Sequence, residues 1–319
     1  MKQTKSLPTC PACKLESSKI IGKHREYKLL GCSKCGLRYC DPMKEPDQNF
    51  YQNSYLYKHR SKELETTATT DDGKILRNWR FKTTLEDMQN RFSTSVVKDV
   101  LDIGCGEGSF LYAASKRGFK VSGVDIDPRA INIAKQLFRL KDVKVANLSD
   151  LPTTKRYKVI TLFETLEHTQ DPSSLVRKVF TLLENDSYFY ISVPSFERKP
   201  RLFDPEADFP PHHLTLWTKK SLRILLEKAG FKKISILEKP LSGEDLQLHL
   251  IWWVKRQLGG KEVAAVLTKS ESKGVSLKVV GKRLIGLLSL IIFEILAFII
   301  RLSGVSRGQT YLVLASKEK

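Results

Sequence analysis

A glycine-rich segment between two apolar stretches constrains the fold of this chain more than any other feature. Residues 101–109 read Leu-Asp-Ile-Gly-Cys-Gly-Glu-Gly-Ser. They begin at the end of a hydrophobic run, 96–103, and lead into residues 110–117, where apolar residues recur at helical spacing. This pattern predicts a strand, a glycine loop and the start of a helix, an arrangement that holds a nucleotide-like ligand against backbone.

The spacing of the glycines and two carboxylates narrows the kind of ligand. A dinucleotide fingerprint needs its third glycine where this chain has Ser109, so the spacing is wrong for NAD. Asp102, two residues before the first glycine, would repel a pyrophosphate but could pair with an ammonium group. Asp125 closes the next apolar run, where an acidic residue can accept both ribose hydroxyls. The alternative is a tight turn that only requires small residues.

These residues resemble the S-adenosylmethionine site of class I methyltransferases, over roughly residues 96–231. The resemblance implies a Rossmann-like α/β sheet of seven strands, the last of them antiparallel, and a methyltransferase enzyme. Asn147 stands where the family commonly has an acidic residue that touches the adenine amine, and an amide can make that contact. The cofactor contacts implied are Asp102, Gly104, Cys105, Gly106, Gly108, Asp125, Ile126, Asn147, Leu148 and Phe163.

Strand and helix patterns alternate downstream, as a doubly wound sheet requires. Asp127 and Pro128 predict the N-cap and first residue of a helix with an apolar face at Ala130, Ile133, Ala134 and Leu137. A later helix is predicted at 219–229, ended by Gly230. Further strands are predicted at 143–146, 157–163, 188–193, 232–237 and 310–315.

A stiff loop after the fifth strand supplies the candidate catalytic residues. It reads Phe-Pro-Pro-His-His-Leu over 209–214, near the carboxyl ends of the strands, where open α/β sheets bind ligands. Methyl transfer requires an aligned nucleophile and often removal of its proton, for which histidine has a suitable pKa. His213, and after it His212, is predicted to be catalytic. The alternative is that one histidine caps the helix starting near Thr218 and the other packs beneath the loop.

The segment from Glu164 to His168, with Asp171 and Pro172, resembles the family's strand-end segment that forms the floor of the cofactor pocket. Glu167 and His168 would line the site or form a solvated turn.

Two Cys-x-x-Cys pairs stand near the amino terminus, with eighteen residues between them. This spacing predicts a structural zinc site formed by Cys10, Cys13, Cys32 and Cys35. A bound metal would supply folding free energy to a segment too short for an ordinary core. Disulfides are the alternative, but Met1 to Pro8 lacks the apolar region of a secretory signal, so reduced thiols and a cytoplasmic location are expected.

The remaining segments are predicted to be attachments to the methyltransferase domain. Residues 51–55 resemble the tyrosine-bearing lid of zinc-ribbon methyltransferases, with helical packing onto the sheet as the alternative. The predicted organisation is a zinc ribbon at 1–40, a helical lid or linker at 41–95, a methyltransferase domain at 96–240, a helical insert at 241–309 and the last strand at 310–319.

The insert contains Trp252 and Trp253 followed by basic residues, and then a seventeen-residue apolar run, 284–300, interrupted by Glu294. This run is short for a bilayer span, which takes roughly 20 apolar residues. Peripheral association with the inner face of the membrane is therefore expected, with a buried helix or a dimer contact as alternatives.

The chain has 54 Lys and Arg against 35 Asp and Glu, a net charge of +19, which suits a polyanion such as a lipid surface, a lipid diphosphate or nucleic acid. The favoured function is methyl transfer to a small-molecule or lipid-linked saccharide or prenyl acceptor. An RNA methyltransferase and a binding module without catalysis are the alternatives.

Overall fold

The computed structural model describes residues 8–16, 18–44, 68–92, 98–199, 208–247, 249–250, 291–304 and 308–319. The chain divides into two compact units. The first comprises residues 1–196, 209–239 and 310–319, and the second comprises 197–208 and 240–309.

The first unit opens on three short antiparallel strands followed by two helices. The strands are β1 (Ser18–His24), β2 (Tyr27–Cys32) and β3 (Arg38–Asp41), and the helices are α1 (Asp72–Ile75) and α2 (Trp79–Arg91). Phe81 on α2 packs against Phe110 and Phe163, so this helix covers the larger sheet described next. The predicted lid residues 51–55 lie outside the described residues.

Strands and helices then alternate through the rest of the first unit. In chain order they are β4 (Asp99–Ile103), α3 (Ser109–Ser115), β5 (Lys120–Asp125), α4 (Pro128–Gln136), β6 (Val143–Val145), β7 (Tyr157–Phe163), α5 (Pro172–Leu182), β8 (Leu183–Pro194), β9 (Thr215–Leu216), α6 (Lys219–Ala229), β10 (Lys232–Glu238) and β11 (Thr310–Lys317). Single 3₁₀ turns follow β6 at Leu148–Asp150 and β7 at Leu166–His168.

Seven of these strands form one sheet in the order β10-β11-β8-β7-β4-β5-β6. β11 runs antiparallel to both of its neighbours, whereas the pairs from β8 through β6 are parallel. The predicted fold class is therefore confirmed. β4 and β7 are buried along nearly their whole length, and their residues are apolar except for Asp99, Asp102, Lys158 and Thr161.

The helix ends follow the predicted capping chemistry, with two differences. Asp127 accepts a hydrogen bond from the Arg129 amide at 2.9 Å, with Pro128 as the first helical residue. On this helix Ile131 is buried, and Leu137, which caps its carboxyl end, is 41% exposed, so the core-facing side is rotated from the predicted one. Thr218 caps α6 through its own hydroxyl, so neither histidine of the preceding loop is the cap.

The second unit contains helical residues at 243–247 and 291–302. Its small core consists of Leu241, Leu246 and Ala297. The Gly243 amide donates to the Glu294 carboxylate, which also lies 3.4 Å from the Arg301 guanidinium. Glu294 therefore has partners inside this unit, although it interrupts the apolar run in the sequence.

Candidate functional site

The loop between β4 and α3 exposes backbone rather than side chains. Gly104, Gly106 and Gly108 all have positive φ, at 72°, 52° and 85°, which non-glycine residues adopt only with strain. A Cβ on Gly104 would overlap the Thr165 hydroxyl, whereas one on Gly106 would meet no atom within 4 Å. The loop is thus packed on one side and presents bare backbone on the other.

Asp125, at the end of β5, holds this loop in place. Its carboxylate accepts hydrogen bonds from the Gly106 and Asp127 amides, both at 2.8 Å. Each carboxylate oxygen has two acceptor positions, so these bonds leave room for further donors such as ribose hydroxyls. The Asp125 carboxylate is therefore bonded directly to the glycine loop.

Asp102 is a buried acid with 2% of its surface exposed. Its carboxylate accepts a 2.7 Å hydrogen bond from the Thr161 hydroxyl, and within the described ranges no basic side chain pairs with it. Burial, with smaller contributions from the negative charges of Asp125 and Glu107, raises its pKa to about 8. A cation bound here would favour the ionised form, which is what an ammonium-bearing ligand requires.

The other predicted cofactor residues have different surroundings. Ile126 is 52% exposed directly after Asp125, and Asn147 and Leu148 lie beyond β6 at the same edge of the sheet. The Cys105 side chain is buried against Gly123, and the Phe163 ring packs on Phe110 at 4.9 Å between centroids. Cys105 and Phe163 can therefore offer a ligand little more than backbone.

Glu164 follows β7 in a strained conformation, with φ of 47°. Its carboxylate accepts a 3.0 Å hydrogen bond from the Ser192 hydroxyl and forms a 2.8 Å ion pair with Arg80 of α2. Sequence reasoning did not identify Arg80, because nothing in the local pattern of an amphipathic helix separates it from other surface arginines. Thr165, the next residue, packs on Gly104 and so joins this segment to the glycine loop.

Glu167, His168 and His213 form a cluster in which one ligand atom of each lies within 4.8 Å of the others. The His168 and His213 rings meet edge to face, 4.9 Å apart. His168 Nδ1 donates to the His212 carbonyl at 2.6 Å. His212 therefore contributes its backbone carbonyl to the cluster, and its side chain is not one of the three that converge. The structure thus brings the predicted residue His213 together with the segment after β7.

The four predicted metal ligands also converge. Cys10 and Cys35 Sγ are 3.5 Å apart, Cys13 and Cys32 Sγ are 3.6 Å apart, and all four lie within 4.8 Å of one another. Tetrahedral zinc with Zn–S bonds of about 2.3 Å places sulfurs about 3.8 Å apart. All six cysteines are free thiols, and Cys40 and Cys105 stand outside the group.

A small sheet connects the cysteine cluster to the histidine cluster. β9 adds to the edge of β3, where Tyr39 pairs with Thr215. Leu214 is bonded on both sides: its carbonyl accepts from the Cys40 amide at 3.0 Å, and its amide donates to the Glu167 carbonyl at 2.8 Å. The segment that carries His213 is therefore held between the cysteine-bearing strands and the end of β7.

Comparison with known proteins bears directly on this arrangement. A family model described as a methyltransferase domain matches residues 76–236, half of the chain. A Mycolicibacterium smegmatis protein named as a probable S-adenosylmethionine-dependent methyltransferase is 30% identical over 139 residues, 42% of this chain and 52% of its own length. The ubiquinone biosynthesis O-methyltransferase of Chromobacterium violaceum is 31% identical over 113 residues, 33% of this chain and 48% of its own. The chain spans about half the length of these relatives.

Solved structures share the fold at low sequence identity. Haemonchus contortus phosphoethanolamine N-methyltransferase 2, in complex with S-adenosylmethionine, has a TM-score of 0.50 at 15% identity, over 88% of this chain and 62% of its own. A Haloferax volcanii complex of the Trm112 methyltransferase activator with a putative methyltransferase has a TM-score of 0.51 at 16% identity, over 86% of this chain and 100% of the matched chain. The solved structures share the fold, and the family match over half of the chain shows that it belongs to the class I S-adenosylmethionine-dependent methyltransferases.

Proposed function

We propose that this enzyme transfers the methyl group of S-adenosylmethionine to a hydroxyl oxygen of a small-molecule or lipid-linked acceptor at a membrane surface. The observation that carries the proposal is a contact that joins the glycine loop to the histidine cluster. Thr165 packs on Gly104 of the glycine loop and lies two residues before Glu167 of the histidine cluster. A methyl donor on the loop and an acceptor at the cluster would therefore meet at the carboxyl ends of β4 and β7.

The donor side matches the chemistry of the cofactor. Asp102 would pair with the ammonium group, and Asp125 would accept from the ribose hydroxyls. The exposed face of Ile126 would pack on the adenine ring, with Asn147 and the Leu148 backbone at its polar edge. Gly104, Gly106 and Gly108 would let backbone approach the ligand closely.

The acceptor side supplies proton removal and alignment. Bound S-adenosylmethionine would supply a methyl group on a sulfonium, and the acceptor oxygen would attack that methyl carbon in line with the departing sulfur. His213 accepts the hydroxyl proton as the oxygen–carbon bond forms and the carbon–sulfur bond breaks, which leaves S-adenosylhomocysteine and a neutral methyl ether. His212 is the second candidate for this role because it is adjacent in the same loop. The choice of oxygen is supported by the name of the Chromobacterium relative, an O-methyltransferase.

Zinc fits the four-cysteine cluster as a structural metal. Cys10, Cys13, Cys32 and Cys35 would hold it, and four protein ligands leave no open coordination position for chemistry. Hydrogen bonds tie the cluster to the rest of the unit: Thr218 donates to the Cys35 carbonyl at 3.0 Å, and Lys228 to the Cys13 carbonyl at 2.6 Å.

Membrane attachment is supported by the apolar surface of the second unit. Helical residues 291–302 carry seven large apolar side chains that are 43% to 71% exposed: Ile291, Ile292, Ile295, Leu296, Phe298, Ile299 and Leu302. None of the helices within the described ranges combines the length and apolar character needed to span a bilayer. An amphipathic helix lying in the interface would satisfy both observations, and the net charge of +19 favours anionic lipid. Trp252, Trp253 and residues 284–290, also expected at the interface, lie outside the described residues.

The test follows labelled methyl groups from S-adenosylmethionine into three acceptors offered to the same enzyme preparation: a prenylated catechol in vesicles, a water-soluble catechol and bulk tRNA. We expect transfer to the prenylated catechol, with Asp125→Ala and His213→Ala both much less active. Only Asp125→Ala should also weaken cofactor binding, by about 10- to 100-fold, because it removes hydrogen bonds to a charged group. Preferential labelling of tRNA, or equal turnover by His213→Ala, would contradict the proposal.

A further inference from the structure

The geometry points to a divalent transition-metal site formed by Glu167, His168 and His213, separate from the cysteine cluster. One donor atom of each side chain lies within 4.8 Å of the others. Ligands bound to one ion at about 2.0 to 2.2 Å are about 3 to 4 Å apart, so each donor atom would have to move by less than about 1 Å to hold the ion.

The hydrogen bond of His168 prepares the ring for coordination. Because Nδ1 donates its proton to the His212 carbonyl at 2.6 Å, the neutral ring carries its lone pair on Nε2. A backbone carbonyl bound to one ring nitrogen is the usual arrangement of a metal-ligating histidine, since it fixes both tautomer and ring orientation.

The backbone around the cluster is fixed from both sides. Glu167 is 1% exposed, and its carbonyl accepts the Leu214 amide at 2.8 Å, directly after His213. The two parts of the site, the turn after β7 and the loop before β9, are thus bonded together.

The ligand set indicates the kind of metal and its use. Two imidazoles and one carboxylate favour Zn²⁺, Mn²⁺, Fe²⁺ or Co²⁺ over Mg²⁺ or Ca²⁺. Three protein ligands leave open positions, as in catalytic rather than structural sites. The inference rests on the proposed function and changes one part of it: the acceptor is a hydroxyl or vicinal diol that binds the metal, and His213 holds the metal instead of accepting the proton itself. The ion would then weaken the oxygen–hydrogen bond in place of His213, which serves as a ligand, and the proton would pass to water.

The experiment uses the full-length enzyme carrying one equivalent of Zn²⁺, which the thiolates of the cysteine cluster take preferentially. Titration with Co²⁺, followed by calorimetry and visible absorption, should find one further site without thiolate-to-cobalt charge-transfer bands. Glu167→Gln and His213→Asn should weaken this site by about 100-fold or more, because removal of a ligand costs at least as much as removal of its supporting partner. His249→Asn, outside the cluster, should leave it unchanged.

S-adenosylmethionine titration of every variant separates the possible failures. Variants that bind the cofactor like wild type are folded, so loss of Co²⁺ in them supports the site. Absence of a second Co²⁺ site in wild type, or its persistence in both Glu167→Gln and His213→Asn, overturns the inference and leaves the proposed methyl transfer standing. Failure of wild type to bind S-adenosylmethionine would instead overturn the proposed cofactor site, whatever the cobalt titration gives.

Discussion

Asp102 is a buried carboxyl group beside other acidic residues, and no basic side chain among the described residues pairs with it. Its single described hydrogen bond comes from Thr161, and Asp125 and Glu107 add unfavourable negative potential. Such an arrangement lowers stability without the ligand and raises affinity for a cation, because the ligand brings the missing charge. The free enzyme therefore holds Asp102 largely protonated below its pKa of about 8.

Cofactor affinity should consequently rise with pH. The ammonium of the bound ligand stabilises the ionised carboxylate, so binding releases a proton below a pH of about 8 and none well above it. The association constant should increase by up to about tenfold per pH unit on the acidic side, and it should fall again once the α-amino group of the ligand, with a pKa of about 8, loses its proton. Calorimetry in buffers of different ionisation enthalpy measures the released proton. In Asp102→Asn the pH dependence on the acidic side should disappear, and a slope retained there in that variant would assign the proton to another group.

The glycine loop offers a second residue-level prediction with a matched control. Gly104 and Gly118 both have positive φ, at 72° and 81°, so alanine at either costs about 1 to 2 kcal/mol of backbone strain. Only at Gly104 would the new methyl also overlap Thr165, since nothing lies within 4 Å of a Cβ on Gly118. Gly104→Ala should abolish S-adenosylmethionine binding and Gly118→Ala should only lower the thermal midpoint. Equal cofactor affinity in the two variants would contradict the packing described here.

At the scale of elements, much of the sheet was predictable. β7 was predicted with its observed ends, as was α6 with Gly230 behind it, because buried parallel strands and capped helices leave local signals. β8 begins five residues before the predicted start, since polar residues 184–186 interrupt the apolar run. Residues 96–97 of the predicted first strand lie outside the described residues.

The contacts that build the cluster of Glu167, His168 and His213 left no local signal in the sequence. β9 is two residues long, and its pairing partner β3 is more than 170 residues earlier in the chain. The sequence identified His213 from its prolines and its place after a strand, but the approach of Glu167 and His168 depends on the bonds of Leu214. Hydrogen bonds between segments this distant follow from tertiary packing rather than periodicity.

The small sheet predicts that loss of a metal from the four-cysteine cluster would damage the histidine cluster selectively. Cys13→Ser, or treatment with a strong chelator, should release β3 and with it β9 and the Leu214 bonds. Hydrogen exchange should accelerate in peptides covering 209–217 while peptides covering β4 and β5 stay protected, and cofactor affinity should change little. Cys40→Ser, a cysteine outside the cluster, is the control. Uniform deprotection of both sheets would mean that the metal supports the whole unit.

At the scale of the whole molecule, the exposed apolar face of residues 291–302 predicts binding to lipid vesicles. Ile292→Asp together with Phe298→Asp should abolish flotation with anionic vesicles, because each places a charge in the apolar interface. Ile20→Asp, an equally exposed apolar position on β1, should float like wild type. Salt should weaken but not eliminate wild-type binding, since the apolar contribution is not screened. Flotation of the double variant at wild-type level would remove this face from membrane attachment.

The order of strands also bears on how the chain is made. Among the strands that the structure describes, β10 is bonded only to β11, which follows it in the sequence by about seventy residues. A nascent chain that has emerged only as far as β10 therefore carries an open strand edge on β8 and an undocked β10 until the ribosome has translated the insert. Synthesis speed through the insert sets how long those edges are exposed to other chains, so slowing translation there should increase the demand for chaperones.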